Sequence, residues 1–98
     1  MGLNLNDYKP AEEVIEFGDK KFIISAEIDD DIMERMAAAA SLKWKEICKL
    51  YEDIMSIKND RKVVQDFFKA LKVPQKRMVM SFIGNYLKES AESMEKKS

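Results

Sequence analysis

Four groupings of side chains could in principle carry chemistry: the acidic run Asp29-Asp30-Asp31 with Glu34, the thiol of Cys48, the serines among the lysines, and the glycines Gly2, Gly18 and Gly84. The acidic run is the densest. Calcium needs about 6–8 oxygens arranged around it, and an EF-hand loop alternates its ligands about a central glycine. Here the acids are consecutive, Ile32-Met33 follows them, and no glycine stands among them. Helix capping explains them better, because aspartates satisfy free amide hydrogens and suit the positive end of a helix. Asp31 and Glu34 also have capping-box spacing. Hydrolysis by paired carboxylates requires a defined separation across a cleft, and nothing in the sequence sets one. The lysine beside Cys48 would lower a thiol pKa. The chain has no histidine to activate that thiol, and its place on an apolar stripe marks it as a packed, structural group. The serines lack a nucleophile-elbow context. The glycines are too scattered to cradle phosphate. Gly2 is followed at position 6 by Asn, where a myristoylation signal wants Ser or Thr. The expectation is a protein that is not an enzyme, with no metal site and no cofactor.

Composition narrows the class. The 98 residues are 46% apolar and 36% charged, which is the balance of one soluble globular domain and not of a disordered tail. The net charge is −1, so the total makes no strong claim on nucleic acid or an anionic membrane. The charge is nevertheless uneven, acidic over residues 1–57 and basic over 58–98. Lys58, Arg61, Lys62, Lys69, Lys72, Lys76 and Arg77 form a candidate basic surface for an acidic protein segment or nucleic acid. Asp60 and Asp66 dilute it, and no reading helix or aromatic platform accompanies it, so nucleic acid ranks behind protein partners. Residues 1–10 do not read as a secretory signal, and no apolar run approaches the ~18–20 residues of a membrane span. A single cysteine fits a reducing compartment. Together these point to the cytoplasm.

The elements expected to position these groups are a short hairpin and then helices, an α+β chain that is mostly helical. Residues 1–11 read as a loosely ordered leader that Leu3, Leu5 and Tyr8 would pin to the body. Residues 13–26 read as a β-hairpin, with Val14, Ile15 and Phe17 in one strand and Phe22, Ile23 and Ile24 in the other. Gly18-Asp19 supplies the turn, of open type. Since an isolated hairpin is marginal in water, this one must lie on helices or join another sheet. From 30 to 57 the steps Met33, Met36/Ala37, Ala40, Trp44, Ile47/Cys48, Tyr51 and Ile54/Met55 predict one long helix, with a break at Ser41 or Leu42 as the alternative. A second helix is expected over 60–72, carrying Val63, Val64, Phe67, Phe68 and Leu71 and stopped by Val73-Pro74. A third is expected over 75–93, carrying Met78/Val79, Phe82/Ile83 and Tyr86/Leu87. Gly84 within it suggests a close helix crossing. Residues 92–98 read as a frayed polar tail.

The soft apolar residues are more informative than the polar ones. Seven methionines in so short a chain suit an adaptable binding surface as well as a core. Met36, Trp44, Tyr51, Met80 and Tyr86 are the candidate partner-binding residues, chosen as aromatic or methionine positions that three helices would leave in part uncovered. Their excess predicts self-association or a helical client held in a groove.

The order of features resembles the small tail assembly chaperones of long-tailed bacteriophages and prophages. The likeness lies in the strand pair Val14-Ile15-Glu16-Phe17-Gly18-Asp19-Lys20-Lys21-Phe22-Ile23-Ile24, the acidic helix start Ile28-Asp29-Asp30-Asp31-Ile32-Met33, the aromatic-centred helix from Trp44 to Tyr51, and the compact helical end. It covers roughly residues 13–87. The resemblance implies a chaperone that binds the long helical tape-measure protein, recruits tail-tube subunits and is absent from the finished virion. It also implies a longer form made by ribosomal frameshifting. The alternative is a small interaction or regulatory adaptor domain, with nucleic-acid binding through 58–77 third.

Overall fold

The structure is a computed structural model. It describes residues 12–97, and the side chains of 12–90 among them. The expected leader at 1–11 lies outside the described residues. The α+β architecture is the expected one: strands β1 (Glu13–Phe17) and β2 (Lys20–Ile24) come first, followed by helices α1 (Asp30–Ala37), α2 (Trp44–Met55), α3 (Arg61–Ala70) and α4 (Val73–Lys97).

The hairpin is antiparallel, with Phe17 opposite Lys20 and Glu13 opposite Ile24. Gly18 sits at φ +63 and is the one described residue with positive φ. A two-residue turn with positive φ at its first position alone is type II′, which needs glycine there and matches the twist of the flanking strands. Alternation sends Phe22 and Ile24 into the core while Lys21 and Ile23 face out. The hairpin is stable because it lies on helices. Phe67 of α3 stacks at 4.5 Å on Phe22 and edge-on at 5.4 Å to Phe17.

Residues 30–57 are not one helix. α1 ends at Ala37, a 3₁₀ turn covers Ala39–Ser41, and Leu42 and Lys43 are extended before α2 begins. No proline or glycine causes the break. Ser41 Oγ donates to the Ala38 carbonyl at 2.8 Å, a local bond that competes with the helical ladder. The larger reason is burial. Ile32 and Ile54 belong to the same core, yet a straight helix would hold them about 33 Å apart at 1.5 Å per residue. The alanines at 37–40 have no side chain worth burying, so folding back there gains the packing of Ile32 and Leu42 at little loss. The helical phase shifts with the break: Ile32 is buried and Met33 is exposed, while Leu50 takes a central place on α2.

Capping follows from the acids. Asp29 caps α1, its Oδ1 accepting from the Ile32 amide at 2.9 Å, and Asp60 caps α3 through the Val63 amide at 3.2 Å. At α4 the Gln75 side chain accepts from the Lys72 amide at 2.8 Å, which is half of a capping box. α3 ends at Ala70, ahead of Val73-Pro74 as expected. α4 carries through to Lys97, so the polar stretch expected to fray from 92 onward is helical as far as it is described. The core joins Phe22 and Ile24 to Leu50, Ile54 and Met55 of α2, Val64, Phe67 and Phe68 of α3, and Ile83, Tyr86 and Leu87 of α4.

Asp53 ties three helices together. Its Oδ2 accepts from Arg35 Nη1 of α1 at 2.8 Å, and its Oδ1 accepts from Arg61 Nη1 of α3 at 2.7 Å. In one straight helix Arg35 and Asp53 would stand about 27 Å apart, so this ion pair is a direct mark of the fold-back.

Candidate functional site

Part of the exposed surface is apolar and gathered in one place. A groove of about 310 Å³ runs between β1 and α4 with α3 at its floor. Val14, Ile15, Glu16 and Phe17 form the strand wall, Gln75, Met78, Val79 and Phe82 the helix wall, and Phe67 and Leu71 the base. Met78 is 71% exposed and Phe82 40%. Both lie along α4 at i and i+4, the spacing that puts two side chains on one helix face. Across the groove Phe17 is also exposed, while the exposed Val14 side chain shares the outer face of the hairpin with Ile23. Phe67 and Leu71 are buried and hold the floor in place.

The sequence-predicted partner residues do not form this surface. Tyr86 is 8% exposed and belongs to the core. Burial pushes its phenol pKa up, and hydrogen bonding to Ser90 and the Ala26 backbone pulls against that rise. Met36 and Tyr51 are half-buried against the core, and burial likewise raises the Tyr51 pKa. Met80 is half-buried. Trp44 is 38% exposed, and the Arg77 guanidinium lies 5.8 Å from its ring centre, a cation–π contact. Tyr51 and Tyr86 turn toward the core, while Met78 and Phe82 of α4 stay exposed. The clue in the sequence was the width of the α4 pattern. Val73, Met78, Val79, Met80, Phe82, Ile83, Tyr86 and Leu87 span more of the helix circumference than one core-facing stripe covers.

The basic residues are dispersed and partly engaged. Arg61 is held by Asp53, Lys58 lies 3.6 Å from Glu27, and Arg77 covers Trp44. Lys62, Lys69 and Lys72 are exposed, and Lys76 is half-buried. Lys76 stands close enough to Cys48 to lower its pKa, but burial outweighs it and leaves the half-buried thiol above its ordinary value. The acidic run serves the α1 terminus and the Arg35 pairing with Asp31 at 3.5 Å. Among the described residues no cluster of three or more metal-ligating side chains occurs, and no helix is long and apolar enough to cross a membrane.

No family model, curated protein or solved structure matches the chain.

Proposed function

We propose that this chain is a non-enzymatic assembly chaperone acting in the cytoplasm, one that holds apolar helical stretches of a long tape-measure protein and helps bring tail-tube subunits to it. The observation that carries this reading is the open apolar groove between β1 and α4, with Met78 and Phe82 uncovered on its rim. A groove of this kind suits one face of an amphipathic helix, with methionine adapting to varied side chains. Affinity per groove would be moderate, and repeated copies along one client would supply avidity. The phage assignment itself rests on the resemblance over residues 13–87.

Co-expression with a tape-measure protein tests it. The chain should raise the soluble fraction of that client and co-purify with it in several copies. Unchanged client solubility would defeat the reading. A discrete complex with a small folded partner would favour the adaptor reading instead.

A further inference from the structure

The two edges of the hairpin are finished differently. On β2 the Asn59 side chain stands in for a third strand: its Nδ2 donates to the Ile23 carbonyl at 2.7 Å, and the Ile23 amide donates to its Oδ1 at 3.0 Å. Both main-chain groups of Ile23 therefore point away from β1. That makes Val14 opposite Ile23 a non-hydrogen-bonded pair, so Val14 turns its own N–H and carbonyl outward. Glu16, two residues on, does the same. Neither has a main-chain partner on that edge among the described residues. β1 carries no proline, lysine or bulge, its charged residues being Glu13 and Glu16, and it forms one wall of the apolar groove.

We propose that this open edge is a self-pairing surface, on which β1 of a second copy adds antiparallel about a two-fold axis at Ile15. The result is a four-stranded sheet in the order β2-β1-β1-β2. Val14 and Glu16 of one copy then exchange hydrogen bonds with Glu16 and Val14 of the other, Ile15 faces Ile15, and Glu13 faces Phe17. Charge selects this register. A shift that keeps the outward groups matched moves the pairing by two residues, which sets Glu16 against Glu16 or Glu16 against Glu12. Like charges directly opposite destabilise a strand pair, whereas the centred register sets each glutamate against an apolar residue. The second copy's Ile15 and Phe17 then lie on the helix side of the sheet and cover the groove beside Met78 and Phe82. This inference does not depend on the client reading. A second copy and a client would exclude one another from the groove.

Sedimentation of the full chain over an about hundredfold range of concentration tests the pairing, since that span carries a dimer of fixed Kd from mostly dissociated to mostly associated. The weight-average mass should rise by about 1.6-fold across it, toward twice the chain mass. In parallel, amide exchange at Val14 and Glu16 should slow as concentration rises. Glu16→Pro removes an outward donor and leaves the β1–β2 ladder intact, as proline on an edge does, so a folded Glu16→Pro should stay monomeric. A wild-type chain that remains monomeric overturns the proposal. So does a dimer that survives in folded Glu16→Pro, or protection at Val14 and Glu16 that ignores concentration and so marks an edge covered within one copy. Should the variant fail to fold, the concentration dependence of exchange in the wild type decides alone.

Discussion

Replacing Asp53 by alanine should loosen three helices at once. The carboxylate side chain is 15% exposed and accepts one hydrogen bond from Arg35, which is 26% exposed, and one from Arg61, which is 55% exposed. A hydrogen bond to a charged group contributes about 1.5–3 kcal/mol when sheltered, and an exposed ion pair about 0.2–1 kcal/mol. The Arg35 arm therefore contributes about 1–2 kcal/mol after discounting for its exposure, and the Arg61 arm under about 1 kcal/mol. Asp53→Ala should cost about 1–3 kcal/mol, a sizeable share of the about 5–15 kcal/mol that stabilises a typical domain. Urea unfolding should show a lower midpoint at unchanged slope. Double-mutant cycles should give a larger coupling for Asp53–Arg35 than for Asp53–Arg61. The pH dependence has a definite sign. Burial alone would raise the Asp53 pKa, but the bonds from Arg61 and Arg35 outweigh it and hold the group below its ordinary value. Its contribution is therefore full above the unfolded value near about pH 4 and fades as pH falls through the lowered folded value. Neighbouring Glu52 shifts the other way, through burial and the charge of Asp53, so the difference between wild type and Asp53→Asn reports the loss at Asp53 together with the relief of Glu52. A cost below about 0.5 kcal/mol, within the range of ordinary surface substitutions, or a larger coupling to Arg61, would refute the reasoning.

Two glycines should respond in opposite directions. Gly84→Ala should stabilise the fold by about 1 kcal/mol through helix propensity, because the added methyl would meet only the Tyr51 hydroxyl, at an ordinary 3.8 Å. A thermal melt checks this, with a rise of about 4–8 °C expected for a domain of this size, and a fall would mean that the helix packing there is tighter than described. Gly18→Ala meets no atom within 4 Å yet should destabilise by about 1–2 kcal/mol, because an L-residue resists positive φ at that turn position. An unchanged melting temperature would contradict the turn assignment.

The hairpin was legible in the sequence because its signals are local: two short β-favouring runs around Gly18-Asp19. The α3 boundaries were legible for the same reason, with a capping Asp60 at one end and Val73-Pro74 at the other. The break between α1 and α2 was not, because no residue at 38–43 is a strong breaker. It follows from the demand that Ile32 and Ile54 share a core, and from the Arg35–Asp53 pairing, both of which are tertiary facts. The expected crossing at Gly84 is looser than the glycine suggested. Met36, Trp44, Tyr51, Met80 and Tyr86, picked by methionine and aromatic type, do not line the groove, whose rim is Met78 and Phe82. Which side of α4 turns to solvent depends on where β1 and α3 pack, and that decides the exposure of Phe82 over Tyr86.

The central claim is that the groove between β1 and α4 is where a partner binds. It is tested most directly by measuring client solubility and co-purification with a Met78→Ser/Phe82→Ser variant beside the wild type. Met78 is 71% exposed and Phe82 40%, so the variant should stay folded at a cost of about 1–3 kcal/mol, most of it from Phe82, while losing the client. A folded variant that holds the client as well as the wild type does would contradict the account.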